Sequence, residues 1–415
     1  MKAIKGLALA VLAASLAQAA SASDFTESSL VKDSSLTVLN RNVYFDRDFA
    51  GDRATQSQRN EWAQGVIATF KSGFTGGTVG VGVDAIGMFG MKLDSSSDRI
   101  NSGLLPASGN GTPGVDHAQD NYTKAGGAIK FKLGNTVLKY GEQIVANPVF
   151  LNTDSRLLPE TVEGFTLVSK DITNLTLEAG HLTSLQSMAR TSRASGALQE
   201  ADYLGGVYKF TPQFSASIYA AKVTNYWDKR YLGMTFIQPL DSNQSLTLGF
   251  AGYQQKSIGD QLSGDLDNTA YSLKATYAYN AHAFTLARQQ IQGRGKYSYG
   301  VDGGDTNYLA NYIQYMDGTR EDETSWQARY DYDFASIGAP GLTFMGRYVK
   351  GTDIKASASV DDGKEWERDL QVSYVVQGGA AKGLMMRVRQ ATYRSDVTAN
   401  VNEVRVITEY PVSIF

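Results

Sequence analysis

The feature that most constrains this chain is a strict alternation of apolar and polar residues that recurs along its length. In 325–334 (SWQARYDYDF), apolar residues at even positions alternate with polar residues at odd positions. The segments 78–87 (TVGVGVDAIG) and 369–377 (DLQVSYVVQ) follow the same pattern. Because successive side chains of a β-strand point to opposite faces, these segments predict strands with one apolar and one polar face.

The breaks between the alternating segments are short and long in turn. Eight short turns are expected, at about 71–77, 133–136, 171–174, 211–214, 239–245, 279–283, 338–341 and 378–383. Longer polar stretches lie between them, for example at 92–122, 142–163, 183–201, 291–324 and 351–366. Eight hairpins and one further strand at each end of the chain give about 18 strands. This arrangement predicts an all-β fold, a transmembrane antiparallel up-and-down β-barrel.

The N-terminal segment has the pattern of a secretory signal. Lys2 and Lys5 precede an apolar stretch that is too short to span a membrane, and small residues follow it. We expect residues 1–22 to be a cleaved signal peptide, with cleavage after Ala22, or alternatively after Ala19. Residues 23–415 then form a single outer-membrane barrel domain in a Gram-negative cell, with outer-membrane lipid around it.

Composition supports strands and tight turns. The chain has 42 Gly and 23 Tyr but only 8 Pro, and it has no Cys, so this exported protein folds without disulfides. The net charge of −3 gives no reason to expect a nucleic-acid partner. The alternative is a soluble secreted β-protein, but a propeller would show a repeated blade motif. A soluble sandwich would not alternate its loop lengths so regularly.

Two arginines in GLMMRVRQATYRSD (383–396) have an unusual position. Arg387 and Arg389 lie two residues apart, and Met386 and Val388 occupy the opposite face of the strand. In a membrane barrel the apolar face contacts lipid and the polar face lines the lumen. The same alternation puts three further arginines on the inner face: Arg41, Arg347 and Arg405. We therefore expect a basic strip along one sector of the wall, which would select anions.

The alternative is that each arginine pairs with a lumenal carboxylate such as Glu403, Glu409 or Asp331. This is the expectation for Arg329, which shares a face with Asp331 two residues away. For Arg387 and Arg389 no acidic residue lies on the inner face of their own strand, which favours an open basic surface.

Several segments together resemble the OprD family of substrate-specific outer-membrane porins. These segments are FTGGTVGVGVDAIGMFGMKLD (74–94), SRLLPETVEGF (155–165), 325–351, 382–396 and NEVRVITEYPVSIF (402–415). The resemblance implies an 18-stranded monomeric channel for small carboxylate-bearing nutrients, such as amino acids or aromatic and other organic acids. It also implies an arginine ladder on the wall, which Arg41, Arg387, Arg389 and Arg405 match in position, and no cofactor.

The resemblance further implies that two loops narrow the channel. The third long loop, about 142–163, should fold inward and carry Asp154, Ser155 and Arg156 at the constriction. The seventh long loop, 291–324, should assist, with Asp317 on a side that attracts cations.

An enzyme of the serine-protease type is the remaining alternative. The three histidines, His117, His181 and His282, lie in separate segments, and only His181 has serines (Ser184 and Ser187) near it in sequence. There is no G-x-S-x-G segment, and isolated histidines without cysteines do not suggest a metal site. We expect no enzymatic activity.

Overall fold

The computed structural model describes residues 29–51, 53–193, 197–301, 307–357 and 360–415. The predicted signal peptide, 1–22, lies outside these ranges. A single turn of helix, α1 (Ser29–Lys32), precedes the first strand. No helix in the described ranges is long and apolar enough to cross a membrane.

Eighteen strands form one antiparallel sheet, and two further strands form a small hairpin inside a loop. The sheet strands are β1 (Ser35–Ala50), β2 (Gln58–Lys71), β3 (Gly80–Ser95), β4 (Asn121–Leu133), β5 (Thr136–Gln143), β8 (Thr161–Ser169), β9 (Leu175–Gln186), β10 (Ala201–Lys209), β11 (Phe214–Val223), β12 (Trp227–Pro239), β13 (Gln244–Ser257), β14 (Asp267–Tyr279), β15 (His282–Arg294), β16 (Thr324–Asp333), β17 (Leu342–Ile354), β18 (Gly363–Val375), β19 (Met385–Ser395) and β20 (Asn400–Ser413). The loop hairpin consists of β6 (Ala146–Asn147) and β7 (Phe150–Leu151).

The sheet closes on itself. Each sheet strand pairs with the next one in sequence, β5 pairs with β8, and β20 pairs with β1 from Thr37↔Ser413 to Ala50↔Asn400. Closure leaves no strand edge exposed, as a structure that spans lipid requires. The predicted 18-stranded antiparallel barrel is confirmed.

The two ends of the barrel differ. At one end the strands are joined by tight turns, such as Gly134–Asn135 between β4 and β5 and Asn280–Ala281 between β14 and β15. At the other end lie nine connections, of which 96–120 (loop 2), 144–160 (loop 3) and 295–323 (loop 7) are the longest. Loop 3 is shorter than the predicted 142–163, because hydrogen-bonded pairing continues to Gln143 and resumes at Thr161.

The outer face of the barrel is apolar and exposed. Ile218, Leu204 and Leu286 project from it with 67%, 64% and 65% of their surface accessible. Aromatic side chains cluster at its tight-turn end, where the rings of Tyr330 and Phe284 lie 5.1 Å apart. A continuous apolar belt of this kind is unfavourable in water and suits a bilayer.

The buried core lies inside the barrel, where loops pack against the inner wall. One cluster joins Leu104 of loop 2 and Leu157 and Leu158 of loop 3 to Phe45 of β1. A larger cluster joins loop 3 and loop 7 to the inner face of β9–β15. The long loops therefore fill part of the lumen.

Candidate functional site

Loop 3 crosses the lumen. On one side the guanidinium of Arg41 in β1 donates to both carboxylate oxygens of Asp154, at 2.5 and 2.9 Å. On the other side the hydroxyl of Tyr253 in β13 donates to the carbonyl of Pro148 at 3.0 Å. In the closed ring β13 is the eleventh strand counted from β1, so the two strands lie on nearly opposite walls. Between them the loop spans the interior.

The barrel wall is shaped to receive loop 3. Arg41 also donates to the carbonyl oxygens of Arg156 and Leu157, at 3.2 and 3.3 Å. Leu157 packs over Gly65 of β2, where a Cβ atom would lie only 3.1 Å from the Leu157 Cγ atom and 3.2 Å from its carbonyl oxygen. A side chain at position 65 would therefore require Leu157 to move by a few tenths of an ångström, whereas glycine allows the loop to approach the wall this closely.

Loop 7 is held by carboxylates of the wall. Glu367 of β18 accepts hydrogen bonds from the backbone N–H groups of Tyr315, at 3.0 Å, and Met316. Glu403 of β20 accepts from the Gln314 side chain at 2.9 Å. Backbone donors that would otherwise be unsatisfied are thereby paired, and the loop is fixed inside the barrel.

A cavity of about 640 Å³ lies beside loop 7. Its lining includes Tyr299, Asp317, Arg320 and Glu365. Asp317 accepts from the Tyr299 hydroxyl at 2.7 Å, and burial raises the pKa of its carboxyl above the ordinary range. Arg320 pairs with Glu365 at 2.9 Å. This chamber carries both signs of charge.

The arginines of the wall are arranged in successive rows. Across the β1–β20–β19 register, Arg47 faces Glu403, while Arg405 lies between Phe45 and Arg389. Arg387 lies one row further toward the tight-turn end, and Arg41 faces Glu409 in the row after that. Rows are two residues apart, so Arg47 and Arg41 are separated by about 20 Å along the strand.

Three of the five predicted wall arginines are paired with carboxylates. Arg41 contacts Glu409 at 2.7 Å as well as Asp154, Arg405 contacts Glu403 at 2.6 Å, and Arg347 contacts the buried Asp369 at 2.5 Å. For these three the alternative interpretation, pairing with lumenal acids, describes the geometry. Arg329 pairs with Asp331 at 2.7 Å, as expected.

Arg387 and Arg389 are different. Within the described residues neither forms an ion pair, and Arg387 bonds only to the Ser373 hydroxyl, at 3.2 Å. The Nε atom of Arg389 is inaccessible and has no hydrogen-bond partner in the described part of the chain. Arg389 lies directly opposite Arg405 on the neighbouring strand, an arrangement that destabilises a sheet unless something else compensates the like charges.

A third unpaired guanidinium comes from loop 3. Arg156 donates to the carbonyl of Ser102 at 2.9 Å and to the Ser155 hydroxyl at 3.2 Å, and it forms no ion pair in the described part of the chain. Burial, together with the charges of Arg405 and Arg47, lowers the pKa of Arg156 to about 9, so that it stays protonated at neutral pH.

The ring of Phe45 lies close to three guanidinium groups in the lumen. The guanidinium carbons of Arg47, Arg405 and Arg156 lie 5.0, 5.0 and 5.3 Å from the centre of its ring, within the range of a cation–π interaction. Glu403 bridges Arg47 and Arg405 at 2.5 and 2.6 Å. One carboxylate and one aromatic ring thus hold three cations together.

The opposite wall is aromatic. The inner faces of β11–β13 carry a run of tyrosines with ring centres 4.7 to 6.5 Å apart: Tyr219, Tyr231 and Tyr253, with Tyr308 of loop 7 against them. Glu178 of β9 accepts from the Tyr219 hydroxyl at 3.2 Å. The lumen therefore has a basic side and a tyrosine side.

The three histidines do not form a catalytic site. His181 bonds to Asp202 at 2.8 Å on the outward face, since its neighbour across the sheet is the exposed Phe165. His282 bonds to the Tyr330 hydroxyl at the tight-turn end. Ser108 contacts both His117 and Asp116, whereas a catalytic triad requires the histidine between the other two.

The closed barrel, its apolar outer belt and its inward-folded loops define a channel protein of the outer membrane, not an enzyme. Comparison with known proteins agrees. A model of the family described as outer membrane porin, OprD family, matches residues 28–414. This chain belongs to the OprD family, and its place is the Gram-negative outer membrane.

Relatives and solved structures share the whole barrel. Porin D of Pseudomonas aeruginosa is 41% identical, over 92% of each chain. The crystal structure of P. aeruginosa OccK9 (OpdG) matches with a TM-score of 0.87 at 36% identity, covering 93% of this chain and 100% of that one. The structure of P. aeruginosa OpdK with vanillate matches with a TM-score of 0.85 at 30% identity, covering 92% and 100%.

Some lumenal residues and contacts were not identified from the sequence. Arg47 and Phe45 lie on the same face as Arg41, and the alternation within β1 could have identified them. Asp369 could have been found in the same way, because its neighbour Leu370 faces outward. The contacts of Arg156 had no local signal, because they depend on where loop 3 ends in space.

Proposed function

We propose that the channel admits small carboxylate-bearing solutes, and that the unpaired guanidiniums of Arg156, Arg387 and Arg389 contact the carboxylate as it passes. The single observation that carries this proposal is the absence of any ion pair for these three residues within the described structure, beside wall arginines that are paired. Unpaired like charges raise the energy of the empty channel. An anionic solute relieves that cost.

The magnitudes suit transport. One carboxylate at about 4 Å from a guanidinium gains about 1 kcal/mol in bulk water and about 4 kcal/mol where the wall lowers the effective dielectric constant to about 20. Rows of arginine spaced by about 7 Å along a strand let a solute move from one weak site to the next. Weak and repeated sites allow both entry and release.

The tyrosine side provides contacts for the rest of the solute. Tyr308 remains 44% exposed against the ring of Tyr231, so an aromatic or aliphatic body can lie there while its carboxylate faces the arginines. Vanillate, present in the OpdK structure, is an aromatic carboxylate of this form. A cationic amino group would find Asp317 in the chamber beside loop 7. Amino acids and aromatic acids both fit this arrangement.

Loop 3, which carries Asp154, Ser155 and Arg156, is the proposed constriction, and a single chain is the proposed unit of transport. Since the loop contacts nearly opposite walls through Arg41 and Tyr253, solutes pass beside it.

The test is the double variant Arg387→Gln with Arg389→Gln. We expect a folded barrel whose anion-to-cation permeability ratio and carboxylate uptake both fall, with a smaller loss at high salt because of screening. The matched control is Arg230→Gln with Arg294→Gln, which removes two positive charges from the outward face.

Reversal potentials in planar bilayers and uptake of labelled benzoate or arginine into liposomes supply the measurements. A folded double variant with unaltered selectivity and uptake would show that these arginines do not contact the solute. An equal loss in the control variant would also refute the proposal, since long-range charge would then suffice.

A further inference from the structure

The outward face of β17, β18 and β19 carries a patch of positive charge at the end of the barrel opposite the tight turns. Its members are Lys350, Arg368 and Arg394, one on each strand. They lie in two adjacent rows of the sheet, because Lys350 faces Trp366, which faces Arg394, while Arg368 lies between Tyr348 and Thr392. Neighbouring strands are about 4.8 Å apart, so the three side chains share one small area.

No carboxylate compensates this patch on the sheet. In the regularly paired part of the three strands, which is fully described, the outward residues include no Asp or Glu. Arg394 bonds to the carbonyls of Tyr393 and Val401, at 2.8 and 3.0 Å, and to the neutral side chain of Asn402. Among the residues that the structure describes, Arg368 bonds only to the Thr392 hydroxyl, at 3.3 Å. Lys350 forms no ion pair with any described residue.

No carboxylate in the described part of the loops above the patch forms an ion pair with it. Asp353, at the bulge of β17, accepts from the Thr352 hydroxyl at 2.9 Å. Asp362 contacts the Nζ atom of Lys364 at 3.3 Å, and Asp396 accepts from the backbone N–H of Lys364 at 2.7 Å. Elsewhere on the rim, outward cations have acidic neighbours. Arg294 pairs with Asp265 at 2.9 Å, and Lys256 with Asp267 at 3.8 Å.

The depth of Arg368 is informative. Trp366 and Tyr348, whose ring centres are 5.7 Å apart, have the position of an interfacial aromatic girdle, and Tyr374 occupies the other end of β18. Eight residues of a tilted strand separate Trp366 from Tyr374, or about 20 Å along the membrane normal, close to the thickness of the apolar band. Arg368 lies about 5 Å inside the Trp366 level. A guanidinium there extends upward to the polar interface, where the phosphate groups of lipids lie.

We propose that this patch binds the phosphate groups of a phosphorylated glycolipid of the outer leaflet. The sugar head group would lie against Trp366 and Tyr348, and its acyl chains would follow Leu370 and Val388 down the wall. Each phosphate would accept charge-assisted hydrogen bonds from Arg368 and Arg394, with Lys350 as a further cation. The patch lies outside the lumen, so this binding is independent of what the channel transports.

The test uses lipid A as the probe and its dephosphorylated form as the comparison, with bound lipid counted by native mass spectrometry of detergent-solubilised protein. We expect lipid A to remain bound to the solubilised protein and the dephosphorylated lipid to dissociate from it. The variant Lys350→Gln with Arg368→Gln and Arg394→Gln should bind lipid A roughly 100-fold more weakly, at about tenfold or less per basic residue. Exchanging Lys for Arg and Arg for Lys at these positions should retain binding.

The control variant Lys222→Gln with Lys256→Gln and Arg294→Gln removes the same charge from outward positions with acidic neighbours, and should bind as the unsubstituted protein does. Binding should also survive EDTA. Equal retention of the dephosphorylated lipid, unchanged affinity in the patch variant, or loss of lipid A on chelation would each overturn the proposal. The comparison with dephosphorylated lipid and the EDTA test both use the unsubstituted protein, so they test the proposal even where the variant fails to fold.

Discussion

Asp154→Asn separates two roles of the Arg41 contact, holding loop 3 and carrying charge. The substitution keeps the shape of the side chain and the positive charge of Arg41, but it removes the carboxylate that accepts two hydrogen bonds from that guanidinium. Loop 3 would keep its contacts at Leu157, Leu158 and Tyr253. The stretch around position 154 should therefore detach more often, without loss of the barrel.

The size of the effect follows from the geometry. Hydrogen bonds to charged groups contribute about 1.5–3 kcal/mol when buried. The Asp154 side chain is 51% exposed whereas that of Arg41 is 6% exposed, so solvent screens the pair and the lower end applies. A loss of about 1–2 kcal/mol raises the population of the detached loop about 5-fold to 30-fold.

Single-channel recording measures this directly. We expect Asp154→Asn to show more frequent conductance steps and to admit larger solutes, while its anion selectivity rises because a negative charge has gone. The control is Asp120→Asn, which removes an exposed carboxylate of loop 2 that pairs with Lys92 of β3. Open-channel noise and size exclusion identical to those of the unsubstituted channel, in a folded Asp154→Asn barrel, would refute the reasoning.

Three further predictions concern topology and loop 7. An epitope tag at 260 should be accessible to antibody on intact cells and one at 339 should not; surface labelling at 339 would reverse the orientation. Asp317→Asn should weaken the pH dependence of cation permeation. Because the pKa of this carboxyl is raised, it loses its charge at a higher pH than an ordinary aspartate does when the solution is acidified. Titration of reversal potentials against the unsubstituted channel tests this. Glu367→Gln should lower the free energy of unfolding by about 1–3 kcal/mol, because one backbone N–H of 315–316 loses its acceptor. An unchanged melting temperature in detergent would contradict that role of Glu367.

The barrel could be predicted from the sequence because its two signals are local. Alternation within each strand assigns faces, and the sequence of short and long breaks sets the strand number. The parity of Arg368, which it shares with the outward Leu370, is a local signal of the same kind. Its strand is regularly paired there, and the residue simply faces outward.

The state of the arginines could not be predicted in the same way. The partners of Arg41 are 113 and 368 residues away in sequence. Asp369, which pairs with Arg347, is on a neighbouring strand whose register is invisible in either segment alone. Whether an arginine is free depends on such distant partners and on the course of loop 3. Alternation can place a charge in the lumen, but it cannot show what compensates that charge.

The seam where β20 meets β1 has a consequence for assembly. The ion pairs Arg41–Glu409 and Arg47–Glu403 both cross it, joining residues that leave the ribosome at opposite ends of synthesis. A slip of two residues would keep every side chain on its proper face, yet it could set Arg41 opposite Ile407 and Arg47 opposite Val401. Hydrophobic patterning cannot distinguish such a slip from the correct closure, whereas charge can. The arginines that make the lumen basic would thus also favour the correct register between the last strand and the first.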